Sequence, residues 1–281
     1  MAPFNLLYYR PDTVDQALDL FRILSKEQHH PAFYGGGTEI LTRVRVQDAR
    51  FDAVIDLKAI PEVLVHREYQ GSAEFGAGLR LTHVANRNLW PLLTATADRV
   101  ADHTVRSQIT LGGNLLSALP YREAILPFLM SDSAEAKVAT IGGMRTHRVR
   151  DRYDQTFKLK PGDFLVSLVV DGHEIQGLAF KSRKMTRIDW IDYPLVTIAL
   201  IRRRNGGIRA AFSGWAGFPF VSSRVDKILS NGRRSPSDRA KDAVEHMPMP
   251  ALSDTHGSRA YREFVTQYTL AGMLEELEEE T

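Results

Sequence analysis

The 281-residue chain contains no cysteine. That absence excludes disulfides, thiolate zinc sites, a cysteine nucleophile and an iron–sulfur cluster carried by this chain. The chain also lacks a dominant charge: 36 Lys and Arg stand against 34 Asp and Glu, a formal net charge of +2. Its basic residues are dispersed, and the run Arg202-Arg203-Arg204 precedes a turn, so no nucleic-acid partner is expected. No apolar run reaches the ~20 residues of a membrane span. The N-terminus does not read as a signal peptide, and the expected location is the cytoplasm. Two phosphate-binding fingerprints are missing as well. Gly-x-Gly-x-x-Gly does not follow the first strand, and Gly-x-x-x-x-Gly-Lys-[Ser/Thr] occurs nowhere. The nine histidines include one adjacent pair, His29-His30, and no His-x-x-x-His spacing, so no metal site is expected. Ser213-Gly214-Trp215-Ala216-Gly217 has the wrong order for a nucleophile elbow, and its strand context argues for packing.

What is present is an ordinary globular balance, 43% apolar and 25% charged, with enough length to bury a core. Residues 13–25 read as an amphipathic helix. Thr13 and Gln16 have capping-box spacing, and Val14, Ala17, Leu18, Phe21 and Leu24 line one face. Residues 32–34 and 51–57 read as short strands, giving a small α/β unit at the start. Strands follow at 73–78, 136–143 and 164–170, with helical segments at 83–101, interrupted by Pro91, and at 122–132. Beyond Gly172 the pattern changes to antiparallel strands at 177–183, 196–203 and 208–215, the last two joined by the hairpin signal Asn205-Gly206-Gly207. Helices are expected at 221–230, 237–246 and 258–278, with an acidic tail that frays. The expected fold class is α+β. Residues 1–172 form a two-part domain, a small α/β unit plus an α+β unit, and residues 173–281 form a smaller domain of antiparallel sheet and helices.

Glycines recur in the first domain at Gly35-Gly36-Gly37, Gly112-Gly113 and Gly142-Gly143. A glycine segment brings backbone N–H groups against a phosphate, because no Cβ intervenes and positive φ is open to it. Two such segments suit a pyrophosphate; tight turns that bind nothing are the alternative. In the second, "TLGGNLLSALPYRE", Thr110 and Asn114 flank the glycines with polar side chains. Glu123 stands near a helix start, where it either accepts from ribose or ribityl hydroxyls or complements the helix dipole.

"FYGGGTEIL" followed some seventy residues later by "TLGGNL" resembles the FAD-binding, or medium, subunit of the molybdenum hydroxylases, a family that includes xanthine dehydrogenase and aerobic carbon monoxide dehydrogenase. "LKPGDFLVSLVV", "DYPLVTIAL" and "GSRAYREFVTQYTLAG" extend the likeness over almost the whole chain. The resemblance implies that Phe33, Tyr34, Gly35, Gly36, Gly37, Thr38, Glu39 and Ile40 wrap the FAD pyrophosphate. Thr110, Leu111, Gly112, Gly113 and Asn114 then form a second backbone cradle. Glu123 stands where the family usually has Asp. Leu165 contacts the cofactor through its backbone, and Val100 matches a position that is aromatic in some members. Lys181 and Lys184 compete for a lysine near the flavin, and Tyr193 or Trp190 covers the ring. Two departures stand out: Ile109 replaces a Gly, and "SALP" at 117–120 replaces "NASP".

The implied function is electron transfer. An iron–sulfur small subunit donates electrons, a molybdenum-cofactor large subunit oxidises the substrate, and NAD or another acceptor takes the electrons from FAD. "GGGTEI" and "IDYPLVT" look closer to purine-type medium chains, which makes xanthine the first expected substrate. Two rival readings are a self-contained FAD oxidoreductase, which needs polar residues converging on the flavin, and a non-redox nucleotide-binding regulatory protein, which would lack flavin absorbance.

Overall fold

A computed structural model describes residues 6–45, 51–189 and 192–280. The chain forms two compact units, and neither is continuous in sequence. The first comprises residues 1–87, 103–117 and 133–172; the second comprises 88–102, 118–132 and 173–281. Two stretches that precede Gly172 in the chain, 88–102 and 118–132, count with the second unit.

In the first unit, helix α1 (Val14–Lys26) starts at Thr13, whose hydroxyl accepts from Gln16 N at 3.2 Å. The Gln16 side chain returns to Asp12 N at 2.9 Å, one residue earlier than a reciprocal capping box. Ala17 and Leu24 on its inner face pack with Ala53 and Ile55 of the adjoining sheet. That sheet has strands β1 (Leu7–Tyr9), β2 (Pro31–Tyr34) and β3 (Ala53–Asp56), all parallel, in the order β1-β3-β2. Central β3 is buried at every position, as a parallel strand covered on both faces requires. β1 is a strand that sequence reading left out; three residues carry too little periodicity to announce one.

The second sheet of this unit holds β4 (His66–Tyr69), β5 (Ser72–Gly76), β6 (Glu135–Thr140), β7 (Gly143–Arg148) and β8 (Phe164–Asp171), in the order β4-β5-β8-β6-β7. Its pairings are antiparallel, and the β8–β6 register slips between Leu165 and Ser167. The strand expected at 136–143 stops at Thr140 and turns back, with Gly143 at φ +100°. Helices α2 (Ile40–Arg45), α3 (Leu81–Arg87) and α4 (Leu111–Leu116) belong to the same unit. The long helical segment expected at 83–101 divides. Asn88 takes a left-handed φ of 48° after α3, and a separate helix begins at Pro91 in the second unit.

The second unit is built on an antiparallel sheet in chain order: β9 (Phe180–Thr186), β10 (Pro194–Arg202), β11 (Ile208–Ser213) and β12 (Phe220–Val221). Asn205-Gly206-Gly207 makes the β10–β11 turn, with Gly206 at φ +80°. β10 is buried from Pro194 to Ile201. It contacts both the 126–130 helix and α7 (Arg259–Glu279), so the 118–132 stretch counts with this unit. Helices α5 (Ser223–Leu229) and α6 (Pro236–Glu245) lie before α7 in the chain and join its core. The acidic tail does not fray: α7 continues to Glu279, Glu276 accepts from Arg183 at 2.6 Å, and Glu278 pairs with Arg239. Among the described residues, no helix is long and apolar enough to cross a membrane.

One charged side chain fastens the second unit. Arg262 is fully buried and donates to the carbonyls of Leu195, Gly214 (2.9 Å) and Leu252 (3.1 Å), and to both oxygens of Asp254 at 2.9 Å. Replacing it with Met removes the donor from three carbonyls and, among the described residues, leaves the Asp254 carboxylate only the amides of His256 and Gly257. Arg262→Met is expected to destabilise this unit by about 3 kcal/mol, read as a fall in denaturation midpoint.

His66 plays the opposite part in the first unit. It is 6% exposed, and neither ring nitrogen has a hydrogen-bond partner among the described residues. Burial, with the charges of Arg87 and His83, lowers its pKa from 6.5 to about 4. The unfolded chain therefore binds the proton first as pH falls. Stability from neutral His66 is full above pH 6.5 and is lost on acidification toward pH 4, by roughly 3 kcal/mol in total. His66→Leu is expected to flatten the slope of unfolding free energy in that window; an unchanged slope would assign it to other groups.

Candidate functional site

β2 delivers the chain into Gly35-Gly36-Gly37, and the structure supplies the reason for the glycines. The floor of this segment is residues 108–110. A Cβ at Gly36 would stand 1.9 Å from the Gln108 carbonyl oxygen, and one at Gly35 would stand 2.7 Å from Thr110 Oγ1. Gly37 has φ +75°, and its Cβ would meet the Tyr34 hydroxyl at 2.2 Å. Backbone thus lies on backbone where the two glycine segments meet. Among the described residues, the amides of Gly36, Gly37 and Thr38 have no hydrogen-bond acceptor in the chain. Three successive open amides at a strand end form a concavity suited to an oxyanion. Neighbouring side chains are turned elsewhere. Phe33 packs between Phe21 (5.1 Å) and Phe164 (4.8 Å), Ile40 packs with Phe51 and Val54, and Glu39 is engaged within the fold.

The second glycine segment differs. Leu111 N donates to Leu79 O at 2.8 Å, Gly112 N to Ala77 O at 2.8 Å, Gly113 N to Thr110 Oγ1 at 3.1 Å and Asn114 N to Thr110 O at 2.9 Å. Its amides are spent on capping α4 and on tying the segment to residues 77–79. The glycine pattern leads to an expectation of two amide cradles; the amides of the second segment are bonded within the chain, whereas those of Gly36, Gly37 and Thr38 are open among the described residues. The sequence displays both sets of glycines but not which amides find partners.

Beside the open cradle is a charged network that motif reading missed. Asp56, at the end of β3, accepts from Tyr8 Oη at 2.6 Å, from Lys58 N at 3.0 Å and from Lys58 Nζ at 2.7 Å. Lys58 Nζ also donates to Gly35 O at 2.5 Å and lies 4.5 Å from the Tyr34 ring centroid. Burial alone would raise the Asp56 pKa, but the hydrogen bonds from Lys58 and Tyr8 hold it below the usual carboxylate range. Tyr34 is pushed up by burial and by the Asp56 charge. No glycine pattern announces this network; a lysine two residues after a strand-end aspartate is the only local sign.

Leu165 is buried in β8 of the first unit, at the register slip. The remaining expected residues lie in the second unit. Glu123 is 2% exposed; burial raises its pKa, with the Lys184 charge and the Thr197 side chain opposing. Burial therefore inclines the carboxyl to hold its proton. Lys184 Nζ donates to Arg99 O at 3.0 Å, whereas Lys181 pairs with Glu280 and with Glu276 at 3.6 Å. The Lys184 charge opposes the upward shift at Glu123, and Lys181 is paired with the end of α7. Val100 is buried at 7% exposure. Tyr193 is half exposed and joins Tyr121 (5.1 Å) and His256 (5.6 Å) in a three-ring cluster. Trp190 lies outside the described residues. Ser213 is a packing residue, accepting from Arg122 N at 3.0 Å and donating to Pro120 O at 3.3 Å. Among the described residues, no group of three or more His, Asp or Glu is placed to hold a metal ion.

The chain is similar to xanthine dehydrogenase of Drosophila pseudoobscura pseudoobscura, 27% identical over 92% of this chain and 21% of that protein. It therefore spans about a fifth of the length of that relative. It is similar throughout to the carbon monoxide dehydrogenase medium chain of Afipia carboxidovorans, 24% identical over 93% of each. Its fold matches a chain in the crystal structure of quinoline 2-oxidoreductase from Pseudomonas putida 86, with TM-score 0.84 and 21% identity over 99% of this chain and 98% of that one. The family model described as "FAD binding domain in molybdopterin dehydrogenase" matches residues 2–170, which include both glycine segments and the Asp56–Lys58 network. The chain belongs to that family, as an FAD-binding medium subunit of the molybdenum hydroxylases.

Proposed function

We propose that this subunit carries electrons from an iron–sulfur partner subunit, through FAD, to NAD or another acceptor, while a large molybdenum-cofactor subunit oxidises the substrate. The observation that carries the reading is the row of open amides at Gly36, Gly37 and Thr38, which fits a pyrophosphate. These three residues hold the diphosphate, with Gly35 and Tyr34 shaping the turn. Thr110 and Gly112 to Asn114 fix the floor beneath it. Glu123, Lys184, Val100, Leu165 and Tyr193 are proposed as further cofactor neighbours. Bound FAD supplies the redox chemistry, exchanging electrons singly with a cluster and in pairs with a nicotinamide. The chain offers no thiolate of its own, so a cluster must be held elsewhere. Likeness to xanthine dehydrogenase over 92% of the chain supports a purine such as xanthine as the substrate of the assembly. We place the assembly in the cytoplasm.

The first test is the flavin itself. The purified chain, loaded with FAD and desalted, is expected to keep flavin absorbance; loss of flavin from both the chain and its co-purified assembly would overturn the reading. In the anaerobic assembly, xanthine is expected to bleach the flavin and carbon monoxide is not; the reverse would move the substrate to the carbon monoxide type.

Gly36→Ala should separate the two glycine segments, because its Cβ meets a backbone carbonyl that cannot turn aside. At Gly113 the new Cβ meets only the Thr110 hydroxyl, at 2.8 Å, a side chain that can rotate away. Gly36→Ala is expected to weaken FAD binding by about tenfold or more, and Gly113→Ala by less. Trp90 and Trp215 are buried in the second unit's segments, so unchanged emission from them checks that this unit stays folded.

A further inference from the structure

Among the described residues, the three-glycine segment has one hydrogen-bonded tether to a side chain outside itself, and that tether lies on the opposite side of a peptide from the open Gly36 amide. Lys58 Nζ grips the carbonyl of Gly35 at 2.5 Å. In a trans peptide the carbonyl of one residue and the N–H of the next point in opposite directions within one plane. Whatever holds the Gly35 carbonyl therefore aims the Gly36 N–H the other way. Glycine has little intrinsic preference to settle that orientation, so the tether has to.

Lys58 is itself held from several sides. Its ammonium also donates to Asp56 Oδ1 at 2.7 Å and sits 4.5 Å from the Tyr34 ring centroid. Asp56, with a 6% exposed side chain, is fixed in turn by Tyr8 Oη at 2.6 Å and by the Lys58 backbone N–H at 3.0 Å. Tyr34 closes the arrangement, because its hydroxyl lies where a Gly37 Cβ would be. The lysine charge is matched by the Asp56 carboxylate beside it. Its influence on a bound anion runs through the peptide it orients.

We propose that Lys58 is a positioning residue for the FAD diphosphate, holding the Gly35–Gly36 peptide so that the Gly36, Gly37 and Thr38 amides converge on one phosphate before the cofactor arrives. The inference rests on the pyrophosphate reading of this segment. It adds that the affinity of the site depends on a strand-end aspartate and lysine outside both glycine motifs. Preorganised donors bind more tightly than donors that must be ordered on binding, because that ordering cost is met in folding.

The test compares the full-length chain with its Lys58→Met and Lys58→Arg variants, measuring FAD affinity by flavin fluorescence and unfolding midpoints without ligand. Lys58→Met is expected to raise the FAD Kd about tenfold, while Lys58→Arg, which keeps a donor for the Gly35 carbonyl, stays within about threefold of the parent. The unliganded midpoint of Lys58→Met is expected to fall, because the buried Asp56 loses its ammonium partner, so affinities are compared at a temperature where every variant is fully folded. Glycine-selective 15N spectra with added inorganic pyrophosphate give the local readout. The Gly36 and Gly37 amides should shift in the parent chain and in Lys58→Arg, and respond weakly in Lys58→Met. An unchanged FAD Kd in Lys58→Met, or an equal loss in Lys58→Arg, would overturn the proposal. Should Lys58→Met fail to fold, the Lys58→Arg spectra decide: loss of the Gly36 response there also overturns it. A parent chain that binds FAD while its Gly36 and Gly37 amides ignore pyrophosphate would instead defeat the pyrophosphate reading itself.

Discussion

Backbone meeting backbone at Gly36 and Gln108 is the constraint around which the first unit is arranged. A Cβ at Gly36 would lie 1.9 Å from the Gln108 carbonyl oxygen, well inside any tolerable contact. The approach brings residues 35–37 down onto the start of α4, whose amides are already used in capping and in bonds to Ala77 and Leu79. With that floor rigid, the upper segment keeps its amides open at Gly36, Gly37 and Thr38. One segment has its amides bonded within the fold, and the other keeps three of them open among the described residues.

Two buried carboxylates, one in each unit, are treated in opposite ways. Asp56 keeps its charge because Lys58 and Tyr8 donate to it, which outweighs the burial that would otherwise raise its pKa. Glu123 is pushed up by burial, and the nearby Lys184 charge only moderates this. A carboxylate costs several kcal/mol to bury unless it is paired and hydrogen-bonded. Asp56 is supplied with direct donors, and its charge can anchor Lys58. Glu123, without a matching set of donors, is shifted toward its neutral form.

Much of the architecture was legible in local pattern. The helix at 13–25, the Asn205-Gly206-Gly207 hairpin and the C-terminal helices all appear within a few residues of their expected bounds. These elements announce themselves through caps, turn glycines and a 3.6-residue period, all of which are local. β1 and β7 were missed because short or exposed edge strands lack an apolar alternation. The acidic tail was read as frayed because the arginines that pair with it, Arg183 and Arg239, come from β9 and α6, far away in sequence. In the site, the glycines were legible and their partners were not. Nor do residue types announce that Lys181 pairs with Glu280 while Lys184 donates to the Arg99 carbonyl.

The sequence by itself determined the cofactor family, through two glycine motifs in the right order. It also excluded a cluster on this chain, because thiolate chemistry requires a residue type the chain lacks. Only the tertiary structure decided which glycine segment is open, which aspartate stays charged, and that Lys58 reaches the carbonyl of Gly35. The reason is physical. Residue type and spacing fix what a segment is able to do, but the partner of a backbone amide or a buried charge is set by whichever distant strand the fold brings within about 3 Å.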